Sequence, residues 1–66
     1  MSDSDLQIFR SANLFLELHG DDAVTKARDM VRTLNKRGDK DGADRWLRII
    51  VAIEAMRQTM AGALSQ

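Results

Sequence analysis

Apolar residues recur along this chain at intervals of three and four, the spacing that lines side chains along one face of an α-helix. No stretch alternates with period two, so no strand is expected. The periodicity is interrupted at two glycine–aspartate corners, Gly20-Asp21-Asp22 and Gly38-Asp39. The pattern predicts three helices, over about 5–19, 22–36 and 40–61.

The third segment is the most apolar. Trp46, Ile50, Ile53, Arg57, Met60 and Leu64 share one line; Ala43, Leu47, Val51 and Met56 widen it, and Ile49 extends it on the other side. An ordinary surface helix carries an apolar stripe of about 100°. Between Trp46 and Ile53 apolar side chains cover well over half the circumference. Such a helix needs covering from more than one side, by the other two helices and by a further surface such as a second copy of the chain. Gly38 suits the left-handed residue that ends a helix, and Asp39 suits the N-cap of the next. Asp41 and Asp44 then meet the positive end of the helix dipole. Gly42 costs about 1 kcal/mol of helix propensity relative to alanine, which implies close approach of another backbone or fraying.

In the first segment, Ser4 and Gln7 form a capping-box pattern, so helix 1 is expected from about Asp5 to His19. Ile8, Ala12, Phe15 and His19 share a line with Phe9 and Leu16 beside it, while Leu14 and Leu18 form an i, i+4 pair on another side. Helix 2, capped by Asp21 or Asp22, places Ala23, Ala27, Met30 and Leu34 in line, with Val24 and Val31 alongside. Short links between helices join antiparallel neighbours. The expected architecture is therefore all-α, a compact antiparallel three-helix bundle with helix 3 central. Residues 1–66 form a single domain, with 1–4 and 62–66 frayed. The expected core is Phe9, Ala12, Phe15, Leu16, Ala27, Met30, Leu34, Trp46, Ile50 and Ile53.

Composition narrows the partners. A chain of 66 residues and 7.4 kDa buries only about 60% of its unfolded surface, so a monomer is marginal and association helps it. Without cysteine there is neither a disulfide nor a thiolate metal site, which suits the cytoplasm. The start, Ser2-Asp3-Ser4-Asp5, is acidic where a signal peptide would be basic. The longest apolar run, Ile49 to Ile53, is five residues, far below a membrane span. Ten basic and ten acidic residues cancel, which disfavours a general nucleic-acid or anionic-membrane binder.

Few residues suggest chemistry. His19 is the lone histidine and fits a group complementing the C-terminal end of helix 1. A calcium loop begun at Asp39 would place Asp44 at position 6 and Ile50 at position 12, where glycine and glutamate are needed; the acidic residues there fit capping instead. No phosphate loop, catalytic triad or cofactor fingerprint is present. No catalytic residue, cofactor, metal or small-molecule ligand is therefore expected. Arg28, Arg32 and Lys36 form a basic ridge on helix 2 that Arg45 and Arg48 can extend. As a helix-turn-helix, however, the chain would have a recognition helix that is apolar and acidic at its start. Met30, Met56 and Met60 suit core gaps or an adaptable groove, and Arg57, on the apolar line, can snorkel or pair with a carboxylate.

Arg37 to Trp46 looks locally like the second-helix start of a tetratricopeptide repeat, a unit of about 34 residues that works in several copies. A wider likeness runs from Leu6 to Arg57. Ser11-Ala12-Asn13-Leu14, His19-Gly20-Asp21-Asp22-Ala23, Gly38-Asp39, Gly42-Ala43, Trp46, Arg48-Ile49 and Ala52-Ile53-Glu54, in that order, resemble a family of very short alphaproteobacterial proteins known only as a domain of unknown function. Thr25, Lys26 and Asp29 depart from the more alanine-rich helix 2 expected of it. The resemblance implies a bacterial, cytoplasmic, all-helical protein and supplies no activity or catalytic residues.

The expected function is that of a small non-enzymatic interaction or regulatory protein, a homo-oligomer or the partner of another protein. Leu14, Leu18, Ile49, Val51 and Met56 form its candidate interaction surface. The alternative is a DNA-binding regulator using Arg28, Arg32 and Lys36; a third, an enzyme built on His19, has no supporting constellation.

Overall fold

A computed structural model describes the backbone over residues 2–64 and the side chains over residues 2–59. Among these residues the chain is helical almost throughout, with no strand. Helix α1 spans Asp3–His19, a single 3-10 turn covers Gly20–Asp22, α2 spans Ala23–Lys36 and α3 spans Lys40–Leu64. Helical structure is thus unbroken from Asp3 to Lys36 and resumes at Lys40. There are two continuous helical runs where three separate rods were expected, and the first changes direction inside a 3-10 turn rather than a loop.

Each boundary has a local cause. Helix α1 starts earlier than expected, because Ser2 rather than Ser4 is its N-cap: the Asp5 N–H donates to Ser2 Oγ at 3.2 Å. Ser2 through Asp5 has the same spacing as Ser4 through Gln7, two residues upstream and with an acid in place of the amide, and Asp3 and Asp5 then sit in the first turn, where the helix dipole favours negative charge. At the other end Gly20 takes φ 55°, and its N–H donates to the Leu16 carbonyl. The expected aspartate cap of α2 is absent. Asp22 stays near helical torsions (φ −88°, ψ 0°) and makes no side-chain cap bond, since a cap carboxylate reaches back to the helix from an extended backbone.

The second corner follows the sequence closely. Gly38 takes φ 78°, its N–H donates to the Asn35 carbonyl at 3.1 Å, and the Asp39 N–H donates to the Leu34 carbonyl at 2.9 Å. This crossed pair is a Schellman motif, which needs a residue comfortable at positive φ. Asp39 then caps α3, its Oδ1 accepting from the Gly42 N–H at 2.9 Å. That bond also accounts for Gly42. A Cβ built there would lie 2.9 Å from the Asp39 carboxyl carbon. What comes close is the cap carboxylate, not another backbone.

Helix α3 packs most extensively on α2, next on α1, while α1 and α2 touch little. Ile8 and Ala12 of α1, Ala23 and Ala27 of α2, and Ile49, Ile50 and Ile53 of α3 form one buried cluster. Ala12, Ala23, Ala27 and Ile53 have no accessible surface. Around the cluster lie half-buried Phe15, Leu16, Val24, Val31, Trp46, Ala52 and Met56. Phe15 meets Trp46 edge-on, with ring centroids 5.1 Å apart, an arrangement the aromatic quadrupoles favour.

The core is shifted from the expected one. Ala12, Ala27, Ile50 and Ile53 are buried, and Phe15, Leu16, Leu34 and Trp46 are half-buried, but Phe9 and Met30 are exposed. In their place come Ile8, Ala23, Ala43 and Ile49. Helix α1 is turned so that Ile8 points inward and its neighbour Phe9, about 100° away around the helix, lies at the edge.

The molecule is also less compact than a bundle of its length. Its radius of gyration is 12.5 Å and its extents are 44 × 27 × 16 Å, against about 10.8 Å from the usual scaling with chain length.

The core and the cap of α3 can each be tested by substitution. Ile53→Ala removes the one large side chain that is fully enclosed among the described residues and is expected to cost about 3–5 kcal/mol, with half-buried Trp46→Ala near the bottom of that range; denaturant unfolding measures both. Asp39→Ala is expected to cost about 1 kcal/mol. Gly42→Ala should be more favourable in the Asp39→Ala background than alone, because the carboxylate it crowds is gone. A double-mutant cycle with no coupling would refute that account of Gly42.

Candidate interaction surface

The cluster around Ile53 fixes which side of α3 faces inward. At about 100° per residue, Val51 and Leu47 then fall on the outer side. Val51 is 68% exposed and Leu47 49%. One turn apart, they form a short apolar ridge along the outside of α3.

A groove runs along each flank of this ridge. Between α1 and α3, Ile8, Phe9, Ala52 and Ala55 make an apolar floor, with Asp5 and Arg48 at the rim. Between α2 and α3, Val31 and Ile50 line the floor, with Arg28, Arg32 and Asn35 around it. Val51 borders both grooves. Phe9 is 48% exposed because small alanines, rather than a large partner, stand opposite it. A third recess, at the start of α3, is mixed in character, with Ile8 beside Ser4, Asp41, Asp44, Arg45 and Arg48.

The five residues expected to form one surface do not come together. Val51 lies on the ridge. Ile49 is buried, 3% exposed, which corrects its assignment to the surface: it stands one turn before Ile53 on the inward side and belongs to the core cluster. Met56 is half-buried against that cluster. Leu14 and Leu18 are exposed, at 57% and 68%, but on a different side of α1. Leu18 is nine residues from Phe9, about 180° around the helix. Phe9 and Leu47, by contrast, were not among the expected surface residues. Leu47 was legible in the breadth of the apolar arc, whereas Phe9 could be placed only once the rotation of α1 was known.

Charges frame the surface. Arg28 approaches Glu54 at 3.9 Å, linking α2 to α3. Arg32 lies 3.9 Å from Asp29 and Arg48 3.6 Å from Asp44. Arg57, on the apolar line of α3, reaches Asp21 at 4.0 Å, so its carboxylate partner is in the same chain. These are long, exposed pairs of the kind that contribute little to stability. The ridge of Arg28, Arg32 and Lys36 is exposed as expected, but two of its three cations already face carboxylates. His19, the last residue of α1, packs its ring on Phe15 with centroids 4.4 Å apart. Among the described residues no group of three or more histidine, aspartate or glutamate side chains could hold a metal ion. No helix there is long and apolar enough to cross a membrane.

The split between Ile49 and Val51 has a direct test. In dilute solution Ile49→Ala is expected to lower stability by about 2–4 kcal/mol, and Val51→Ala to change it by less than about 0.5 kcal/mol. Equal losses in chemical denaturation would mean that α3 is rotated from the position described.

Comparison of the chain with models of known protein families, with characterised proteins and with solved structures finds no match.

Proposed function

We propose that this chain is a small non-enzymatic interaction or regulatory protein that works by self-association, in the cytoplasm, on a three-helix scaffold with α3 central. The supporting observation is exposed apolar surface. Large apolar side chains stand open to solvent: Leu6, Phe9, Leu14, Leu18, Met30, Leu47 and Val51. Single exposed leucines are ordinary, but grouped apolar residues rimmed by charge mark binding surfaces. The scaffold is supported by a core cluster drawn from all of α1, α2 and α3. The cytoplasmic assignment is supported by the absence of cysteine.

A DNA-binding role for Arg28, Arg32 and Lys36 has less behind it. Glu54 and Asp29 offset two of the three charges, and the chain has no net charge to drive counterion release from phosphate.

Self-association predicts a weight-average mass that rises from 7.4 kDa toward a multiple of it across a hundredfold increase in concentration, measured by sedimentation equilibrium. A constant monomer mass over that range would exclude it.

A further inference from the structure

We propose that the docking surface is the outer face of α3 and that its occupant is a second copy of this chain, paired about a twofold axis. The proposal rests on the self-association reading above and adds where the contact lies. A twofold interface uses the same patch on both copies, so the patch must be complementary to itself. The outer face of α3 meets that condition. It carries a ridge, Leu47 and Val51, directly beside an apolar groove lined by Ile8, Phe9, Ala52 and Ala55. Two such faces can interlock, each ridge seated in the other's groove, as ridges pack into grooves between helices within a protein. The alanines of the groove leave the room that the incoming valine and leucine need.

The charges agree with this occupant. The rims carry both signs, with Asp5 and Arg48 beside one groove and the paired Arg28 and Glu54 between α2 and α3. With ten charges of each sign, two copies meet no net repulsion. The Leu14 and Leu18 pair lies on the other side of α1, about 180° from Phe9 in the case of Leu18, and so outside this ridge and groove.

The experiment compares the full-length chain with Val51→Glu, Leu47→Glu and Leu18→Glu by sedimentation equilibrium, with helicity checked by circular dichroism. All three positions are largely exposed, so the variants are expected to keep the helical signal. The unsubstituted chain is expected to form a dimer of twice 7.4 kDa. A carboxylate on the ridge would be buried without a partner in both copies. Val51→Glu and Leu47→Glu should therefore raise the dimer dissociation constant by at least about 100-fold, and Leu18→Glu should change it by less than about threefold. A dimer that survives both ridge substitutions overturns the docking surface and leaves self-association standing. A dimer broken only by Leu18→Glu moves the contact to α1 and also overturns it. An unsubstituted chain that stays monomeric overturns the self-association reading and the docking surface together, and assigns the apolar face of α3 to a different protein.

Discussion

Everything in this fold depends on how closely α1 and α2 can approach α3. Beside Ile8, the alanines Ala12, Ala23 and Ala27 are the most deeply buried contact residues of the two covering helices, and none of the three retains accessible surface. Each contributes little apolar area. Their effect is steric: they bring the covering helices near enough for the isoleucines of α3 to be enclosed. A core made of small residues against β-branched ones is thin. Among the described residues Ile53 is the largest side chain completely removed from water, and the aromatic residues remain at the margins.

That thinness explains the surface. Three covering alanines fill less volume than leucines would, so they wrap less of α3. The outer arc of α3, from Leu47 to Ala55, is left between two shallow grooves. The corners constrain the same outcome. The Schellman motif at Gly38 and the Asp39 cap turn the chain within three residues, which holds the end of α2 beside the start of α3. A longer linker would let α2 slide across and cover the ridge. The 3-10 turn at Gly20–Asp22 ties α1 to α2 in the same way.

Much of this was legible in the sequence, and the failures have identifiable causes. Helical periodicity and the Gly38-Asp39 pair carry local information, and both appear in the structure as read. Local chemistry was less decisive where two solutions compete, as with Ser2 and Ser4 at the start of α1, each followed by a suitable partner three residues on. Burial was hardest to read on α3, because a helix that is apolar over more than half its circumference does not say which part turns inward. Ile49 and Val51 look alike as residues and differ only in the placement of neighbours. The alanines at 12, 23, 27 and 43 are a further case. Alanine is common on exposed helix faces as well as in close contacts, so hydrophobicity alone did not separate Ala43 from Ala55. The outer face of α3 was accordingly visible as an excess of apolar residues, but its grooves, which need two helices each, were not.

The edge-on contact between Phe15 and Trp46 gives the molecule a built-in optical gauge. Trp46 is the only tryptophan and there is no tyrosine, so the ultraviolet emission of the chain originates almost entirely at the seam where α1 rests on α3. Helix content is distributed over all the elements, whereas this signal belongs to one contact. Lifting α1 from α3 would change the emission while leaving the backbone helices in place. Loosening of that seam and melting of the helices are therefore spectroscopically distinct events in this protein.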